Sequence, residues 1–289
     1  RTAHFRIRTN GKNDGRAPMS SDAPVPDPVP PSPGCRLVSY NVLYQSVSPE
    51  GHNWADRRES VLAELDRLGP DVIAFQEVWT GQFDDLRDGL DEFSWVAATD
   101  APVHTPIAYR ADRFEAVESG TFWLSPPDAE PGAPAWDAAY QRLATYTVLF
   151  EAETDASLTV TNVHLDHEGE KARQEGIALA RQRLTDAAKG PAVLAGDFNC
   201  RPGDPAHRQA TVDRDARRSL TDATALAGEV EGPAETYTGF PEEDYQPQDI
   251  DHVLVSPELD VERVVTCVPP GEADRLPSDH RPVLADFAY

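Results

Sequence analysis

Two packed β-sheets with helices on their outer faces is the architecture this sequence predicts, and three observations carry it. Apolar runs of strand length recur along most of the chain. Only two segments have the length and 3.6-residue periodicity of a strong helix. The strands do not alternate one for one with helices, as a doubly wound parallel fold requires. No internal repeat and no composition shift after Gly34 divides the chain, so 35–289 reads as one domain.

The elements follow in order. Leu37–Val42 is an apolar run and predicts a buried strand. Trp54–Leu68 places Val61, Leu62, Leu65 and Leu68 on one helical face, and Gly69-Pro70 ends it. Asp71–Gln76 reads as a strand and Phe83–Leu90 as a short helix. Phe93–Val96, Pro106–Tyr109 and Phe114–Leu124 read as strands joined by turns. Ser125–Ala135 is rich in Pro and Asp and predicts a loop. Leu143–Glu151 and Leu158–Leu165 form an expected antiparallel pair around Glu153-Thr154-Asp155. Glu168–Ala188 predicts a long helix and Ala192–Ala195 a strand. Residues 201–246 are mixed and polar, with a helix expected near Ala206–Ala210 and loops beyond. Ile250–Val255, Val261–Cys267 and Pro282–Phe287 are the last strands expected.

The start of the chain stands apart. Residues 19–34 carry Pro24, Pro26, Pro28, Pro30, Pro31 and Pro33 and predict a stiff, extended, coreless tail. Residue 1 is Arg and the sole methionine is Met19, after a basic stretch. The expectation is that Met19 is the natural start and that 1–18 is vector or upstream sequence, or the remnant of a cleaved precursor. All of 1–34 is expected to be a disordered tail, with order beginning at Arg36.

Composition bounds the function. A chain of 289 residues with 39% hydrophobic content can bury a substantial core. No apolar run approaches the roughly 18–20 residues of a membrane span, and no signal-peptide core stands near the start. Cys35, Cys200 and Cys267 are scattered, with neither metal spacing nor a disulfide framework. The chain therefore reads as a cytoplasmic monomer in a reducing setting, with no membrane partner. Net charge is −24, from 50 acidic and 26 basic residues, and the only lysines are Lys12, Lys171 and Lys189. Such a surface repels long polyanions at a distance. It suits a protein kept soluble in brine and equally an ordinary acidic protein.

The chemistry is concentrated where strands end. Asn41 ends the first strand; its amide suits a water-ligated metal or a substrate oxygen, and equally the cap of a turn. Glu77 follows Val72-Ile73-Ala74-Phe75 as a ligand or a solvated acid. In Asn162-Val163-His164-Leu165-Asp166-His167, the residues Asn162, His164 and Asp166 share one strand face, either a wet surface or a pocket wall. Asp197 and Asn199 flank Phe198 on one face after Gly196, as catalytic groups or as an Asx-type turn. Asp251 lies inside a strand, where an acid needs a partner or open water. Asp279 and His280 stand side by side before Pro282. Several acids and imidazoles at strand ends point to a hydrolase. Mg²⁺ needs hard oxygen ligands from separate elements, and a phosphoryl group under attack needs its charge neutralised and its water activated.

The ordered set Asn41, Glu77, His164, Asp197-Phe198-Asn199, Asp251 and Ser278-Asp279-His280 resembles the endonuclease/exonuclease/phosphatase superfamily. These are the Mg²⁺-dependent phosphoesterases that include DNase I, abasic-site endonucleases, deadenylases, sphingomyelinases and inositol polyphosphate 5-phosphatases. The resemblance covers about 36–289. The stretch Gly120-Thr121-Phe122-Trp123-Leu124-Ser125, with Trp136-Asp137, Arg142 and the earlier His52-Asn53-Trp54, is similar to a largely uncharacterised prokaryotic branch. The resemblance implies a DNase I-like four-layer α/β sandwich of two mostly antiparallel sheets flanked by helices. It implies that Glu77, Asn41 and Asp279 hold Mg²⁺, for which Mn²⁺ substitutes. Asp197 positions or deprotonates the attacking water, and Asn199, His164 and Arg142 contact phosphate. Asp251 orients His280, which stabilises the transition state or acts as acid/base. Arg142 has a surface salt bridge as its other reading.

The implied activity is hydrolysis of a phosphodiester bond, in nucleic acid or a small molecule. A phosphomonoesterase acting on sugar, nucleotide or inositol phosphates is the alternative, and a catalytically dead binding protein is the alternative of another class. His252 stands where many relatives carry Tyr. No basic, aromatic loop for gripping duplex DNA and no lipid-inserting hairpin is visible, which disfavours DNA-repair and membrane-lipid substrates.

Overall fold

The computed structural model describes residues 34–45, 52–98, 104–211, 219–240, 246–269 and 276–289. The tail expected over 1–34 lies outside them, apart from Gly34, which already belongs to the first strand. The elements are β1 Gly34–Asn41, α1 Trp54–Leu68, β2 Val72–Gln76, α2 Thr80–Gly89, β3 Phe93–Val96, β4 Ile107–Arg110, β5 Phe114–Trp123, β6 Leu143–Glu151, β7 Ala156–His164, α3 Glu170–Ala187, β8 Ala192–Asp197, α4 Pro205–Thr211, β9 Thr221–Asp222, α5 Ala223–Leu226, β10 Glu229–Glu231, β11 Asp251–Val255, β12 Asp260–Thr266 and β13 Val283–Ala288.

The strands form a seven-stranded sheet, β10-β12-β13-β1-β2-β4-β3, and a six-stranded sheet, β5-β6-β7-β8-β11-β9. Most neighbours are antiparallel; β1/β2, β7/β8 and β10/β12 are parallel. Three apolar clusters define the layers. Leu37, Val72, Val160, Val193, Val253 and Ala285 meet between the sheets. Val61, Leu65 and Leu68 of α1 and Leu86 of α2 cover Val38, Ile73 and Phe75 on the outside of the first sheet. Ile177, Ala180 and Leu184 of α3 cover Val163 and Leu194 on the outside of the second. The result is the four-layer α/β sandwich expected from the sequence.

Side-chain alternation with a period of two explains which residues enter the middle layer. Along β1, Cys35 and Leu37 face the opposite sheet, so Ser39 and Asn41 do too. Along β7, Leu158 and Val160 lead to Asn162 and His164. Along β8, Val193 and Ala195 lead to Asp197. Antiparallel β11 brings Val255 and Val253 to Asp251 at the same end. The inter-sheet layer is apolar through its body and turns polar where β1, β7 and β8 end. Gln76 Nε2 donates to Asn162 Oδ1 at 2.8 Å and ties the sheets together just beneath that end.

Three short elements, β9, α5 and β10, lie where loops were expected. At two, four and three residues, they are too short to show a period; β9 and β10 form by pairing with β11 and β12, and α5 is capped by Asp222, whose Oδ1 accepts the Thr224 N–H at 3.0 Å. Helix α2 begins at Thr80 rather than Phe83, because Gln82 Oε1 accepts the Trp79 N–H at 3.2 Å and caps the first turn. β8 continues past Ala195 through Gly196. That glycine has φ 140°, and a Cβ there would stand 2.0 Å from the Val163 carbonyl oxygen, so only glycine lets β8 lie this close to β7.

Candidate active site

The polar end of the inter-sheet layer gathers side chains from six strands or strand-end loops. Asn41 Nδ2 donates to Glu77 Oε1 at 3.1 Å and to Asp197 Oδ2 at 3.0 Å. Its Oδ1 accepts the Leu43 N–H at 3.0 Å. Asn41 thus bridges two carboxylates as a donor. Glu77 is further held by the Tyr44 N–H, 3.1 Å from Oε2. His164 Nε2 lies 3.5 Å from Asp197 Oδ2 and 4.0 Å from Glu77 Oε1. His280 Nδ1–H donates to Asp251 Oδ2 at 2.8 Å, and its Nε2 is 3.7 Å from Asp197 Oδ2. Asp279 sits beside this centre on the loop before β13. Ser278 Oγ donates to the Asn41 carbonyl at 2.7 Å and locks that loop to the end of β1.

Backbone strain is concentrated here. Leu43, Glu77, His104 and Asn199 all have positive φ, at 55°, 60°, 49° and 48°. Non-glycine residues adopt this region at a cost of about 1–3 kcal/mol each and persist there when the surroundings hold them. For Asn199 the holding contacts are visible. Its N–H donates to Asp197 Oδ1 at 2.9 Å and its Nδ2 to the Leu165 carbonyl at 3.0 Å. The Asx-type turn and the placement of Asn199 beside Asp197 are one arrangement.

The electrostatics follow from burial. Burial, reinforced by the Asp251 charge, pushes Asp197 up to about 7, with His280 acting against it. Burial likewise raises Asp279, opposed by His280. Burial alone would lower His280, but Asp251, Asp197 and Asp279 lift it well above the usual imidazole range, so it carries charge near neutral pH. Burial and then Arg142 hold His164 well below that range, so it is neutral. Glu77, Asp197 and His164 converge closely enough to share one cation, whereas between Asp197 and Asp251 the charged His280 is itself the cation. A divalent cation fits because the buried carboxylates outnumber the cations facing them and raise one another's proton affinity.

Other expected residues take different places. Asp166 accepts the N–H groups of Ala139, Glu168 and Gly169 at 3.1, 3.1 and 2.8 Å and so anchors loops. Arg142 Nε is 3.4 Å from Asp166 Oδ2 and its Nη2 is 3.0 Å from His167 Nδ1. It reaches the rim rather than the centre, close enough for its charge to act on His164. His252 turns away from Asp251. Its Nε2–H donates to the Cys200 carbonyl at 2.9 Å and its Nδ1 lies 3.5 Å from Asp222 Oδ2. His207 Nε2 meets the same oxygen at 3.1 Å, while its Nδ1 accepts the Gly203 N–H at 3.2 Å. That last bond leaves the His207 proton on Nε2, so this trio is a hydrogen-bonded brace and lacks the lone pair a metal would need. Sequence reasoning missed Thr236. Its Oγ1 donates to Asp251 Oδ2 at 2.6 Å and accepts the Asp251 N–H at 3.0 Å. It lies in the polar 201–246 stretch, where no pattern marks it.

The sequence pattern of the Endonuclease/Exonuclease/phosphatase family matches residues 38–280, which span this whole set. The chain belongs to that family. Its members hydrolyse phosphoester bonds and generally require a divalent metal, and this chain is such a hydrolase. The fold of an endonuclease/exonuclease/phosphatase from Bacteroides vulgatus is similar, with TM-score 0.81 and 29% identity over 88% of this chain and 98% of that one. A mannosyl-6-phosphatase from Bacteroides thetaiotaomicron has TM-score 0.78 and 26% identity over 88% of this chain and 100% of that one. The human Nocturnin catalytic domain shares the fold, with TM-score 0.69 and 20% identity over 90% and 96% of the two chains. A search of curated proteins finds no match. No helix among the described residues is long and apolar enough to cross a membrane.

Proposed function

We propose that this phosphoesterase uses Mg²⁺, which Mn²⁺ replaces, to hydrolyse a phosphoester bond by direct attack of water. Glu77 and Asp279 would hold the ion, with Asn41 fixing Glu77 against Asp197. The ion supplies charge neutralisation at phosphate oxygens. Asp197, whose proton affinity burial brings near neutrality, takes the proton of the attacking water. His280, held by Asp251 and Thr236, presents a charged Nε2–H to the developing charge on phosphate. Neutral His164 and the second Nδ2–H of Asn199, the one not given to the Leu165 carbonyl, donate to phosphate oxygens, and Arg142 attracts the anion at the rim. The observation that carries this reading is the 2.8 Å contact between His280 and Asp251 beside Asp197 and Glu77.

The sequence alone pointed first to a phosphodiester in nucleic acid or a small molecule. The similarity to a mannosyl-6-phosphatase along almost the whole chain favours a second reading, a phosphomonoester of a sugar, and the net charge of −24 disfavours a long polyanion. The free, buried state of Cys35, Cys200 and Cys267 supports a reducing, cytoplasmic setting, and the chain acts as a monomer. A panel of bis(p-nitrophenyl) phosphate, single-stranded DNA, RNA and sugar phosphates, each with Mg²⁺, Mn²⁺ or EDTA, tests the proposal. Turnover of at least one member that EDTA abolishes is expected. Turnover of none, or turnover that EDTA leaves intact, refutes it.

A further inference from the structure

Arg57, on the first turn of α1, is 3% exposed. Its Nε donates to the His52 carbonyl at 2.7 Å. Its Nη1 donates to the Val42 carbonyl at 2.9 Å and the Pro277 carbonyl at 2.6 Å, and its Nη2 to the Leu43 carbonyl at 3.1 Å. These carbonyls belong to separate segments. Val42 and Leu43 follow Asn41 directly. Pro277 precedes Ser278-Asp279-His280. His52 opens α1. One planar fork therefore spans the two strand-end loops that carry Asn41 on one side and Asp279 and His280 on the other. A compact ammonium cannot reach so many acceptors at fixed angles.

Two features tie the fork to the centre. Leu43 has φ 55°, and this turn aims its N–H at Asn41 Oδ1. Arg57 and Gln82 together hold the Leu43 carbonyl, the latter at 2.9 Å, so the strained turn is clamped from both sides. The guanidinium also lies within electrostatic range of Asp279 and Glu77. It is a fixed positive charge behind the two carboxylates assigned to the ion.

We propose that Arg57 is a positioning residue for the metal centre: by pinning the 42–43 turn to the 277–280 loop it fixes Asn41 and Asp279 relative to Glu77 and so sets metal affinity. This rests on the metal assignment above. The groups that orient first-line ligands typically change metal affinity about 10–100-fold when removed.

The test is calorimetric titration of Mn²⁺ into wild type, Arg57→Lys and Arg57→Met, with a thermal melt of each. In a folded Arg57→Met, affinity is expected to fall about 10–100-fold. Arg57→Lys, which keeps the charge and loses the fork, should fall between it and wild type. Wild-type affinity within twofold in either folded variant overturns the proposal. Absence of Mn²⁺ binding to wild type overturns the metal assignment itself. Should neither variant fold, the wild type still decides. The Nε–H resonance of Arg57, protected by its bond to His52, should shift on saturation with Mg²⁺, and an unmoved resonance overturns the proposal.

Discussion

The two ends of the central strands both bury charge, and they do so in opposite ways. At the start of β1, Arg36 meets Asp286 through two parallel hydrogen bonds, at 2.7 and 2.9 Å, with its side chain 1% exposed. Its own N–H donates to Asp71 Oδ2 at 2.8 Å. Arg113 then joins Asp71, at 2.9 Å, to Glu151. Tyr289 and Thr154 supply further donors to Glu151, at 2.9 and 2.7 Å. Each acid there faces a guanidinium. Burial alone would raise Glu151, yet Arg113, Thr154 and Tyr289 pull it below the usual range. At the far end, Glu77, Asp197, Asp251 and Asp279 face one charged imidazole and the buried Arg57, and both Asp197 and Asp279 are raised. At one end every acid has a guanidinium partner, Arg113 serving both Asp71 and Glu151. The other holds an excess of acid, which the proposed divalent cation would offset. Both are buried ion clusters that draw on both sheets, so burial of charge alone does not distinguish them; the imbalance of charge does.

The largest expected effect at the acidic end is catalytic. Asp251→Asn should lower kcat by about 10²–10⁴-fold, the range for a lost acid–base partner, with little change in melting temperature. Full rate in that variant breaks the assignment of the His280 pair. At the balanced end the effect should be on stability. Arg36→Met leaves Asp286 buried without its partner, and equilibrium unfolding in urea should show a loss of about 3–5 kcal/mol. Metal affinity of the folded fraction should not change. A loss of activity without loss of stability would erase the distinction between the ends.

A smaller effect separates the ends by pH. Asp197 is raised to about 7 in the metal-free fold, against about 3.9 in an unfolded chain. Between those values the folded state holds a proton the unfolded state lacks. The stability of the metal-free protein should therefore fall as pH rises through that window. Asp197→Asn should flatten that slope, and so should added metal. Glu151 acts with the opposite sign: its folded value is depressed, so its contribution is present above the unfolded value and lost only at more acid pH. A slope unchanged in Asp197→Asn would contradict the buried-acid account.

The layer plan was legible in the sequence because long strands advertise themselves by alternation. So was the acidic end. Asn41, His164, Asp197 and Asp251 extend, at the same period of two, the apolar rows that fill the space between the sheets. What stayed hidden depends on contacts between distant segments. Thr236 and Arg57 act on carboxyl and carbonyl groups far away in sequence, and nothing in their neighbours marks them. The elements from Thr221 to Glu231 are too short for a period to show, and the two strands among them form through pairing with β11 and β12. His252 reads from sequence as a neighbour of Asp251, yet alternation sends it to the other face, where it braces Asp222 and Cys200.

The central claim is that the acid excess exists to hold a divalent cation through Glu77. Free Mn²⁺ counted by electron paramagnetic resonance, in the presence of wild type and of Glu77→Gln, tests it most directly. The wild type should deplete free Mn²⁺ to saturation. Glu77→Gln, with an unchanged melt, should bind at least about tenfold more weakly, since Mg²⁺-type ions need hard anionic ligands. Equal binding by the two proteins would contradict the claim.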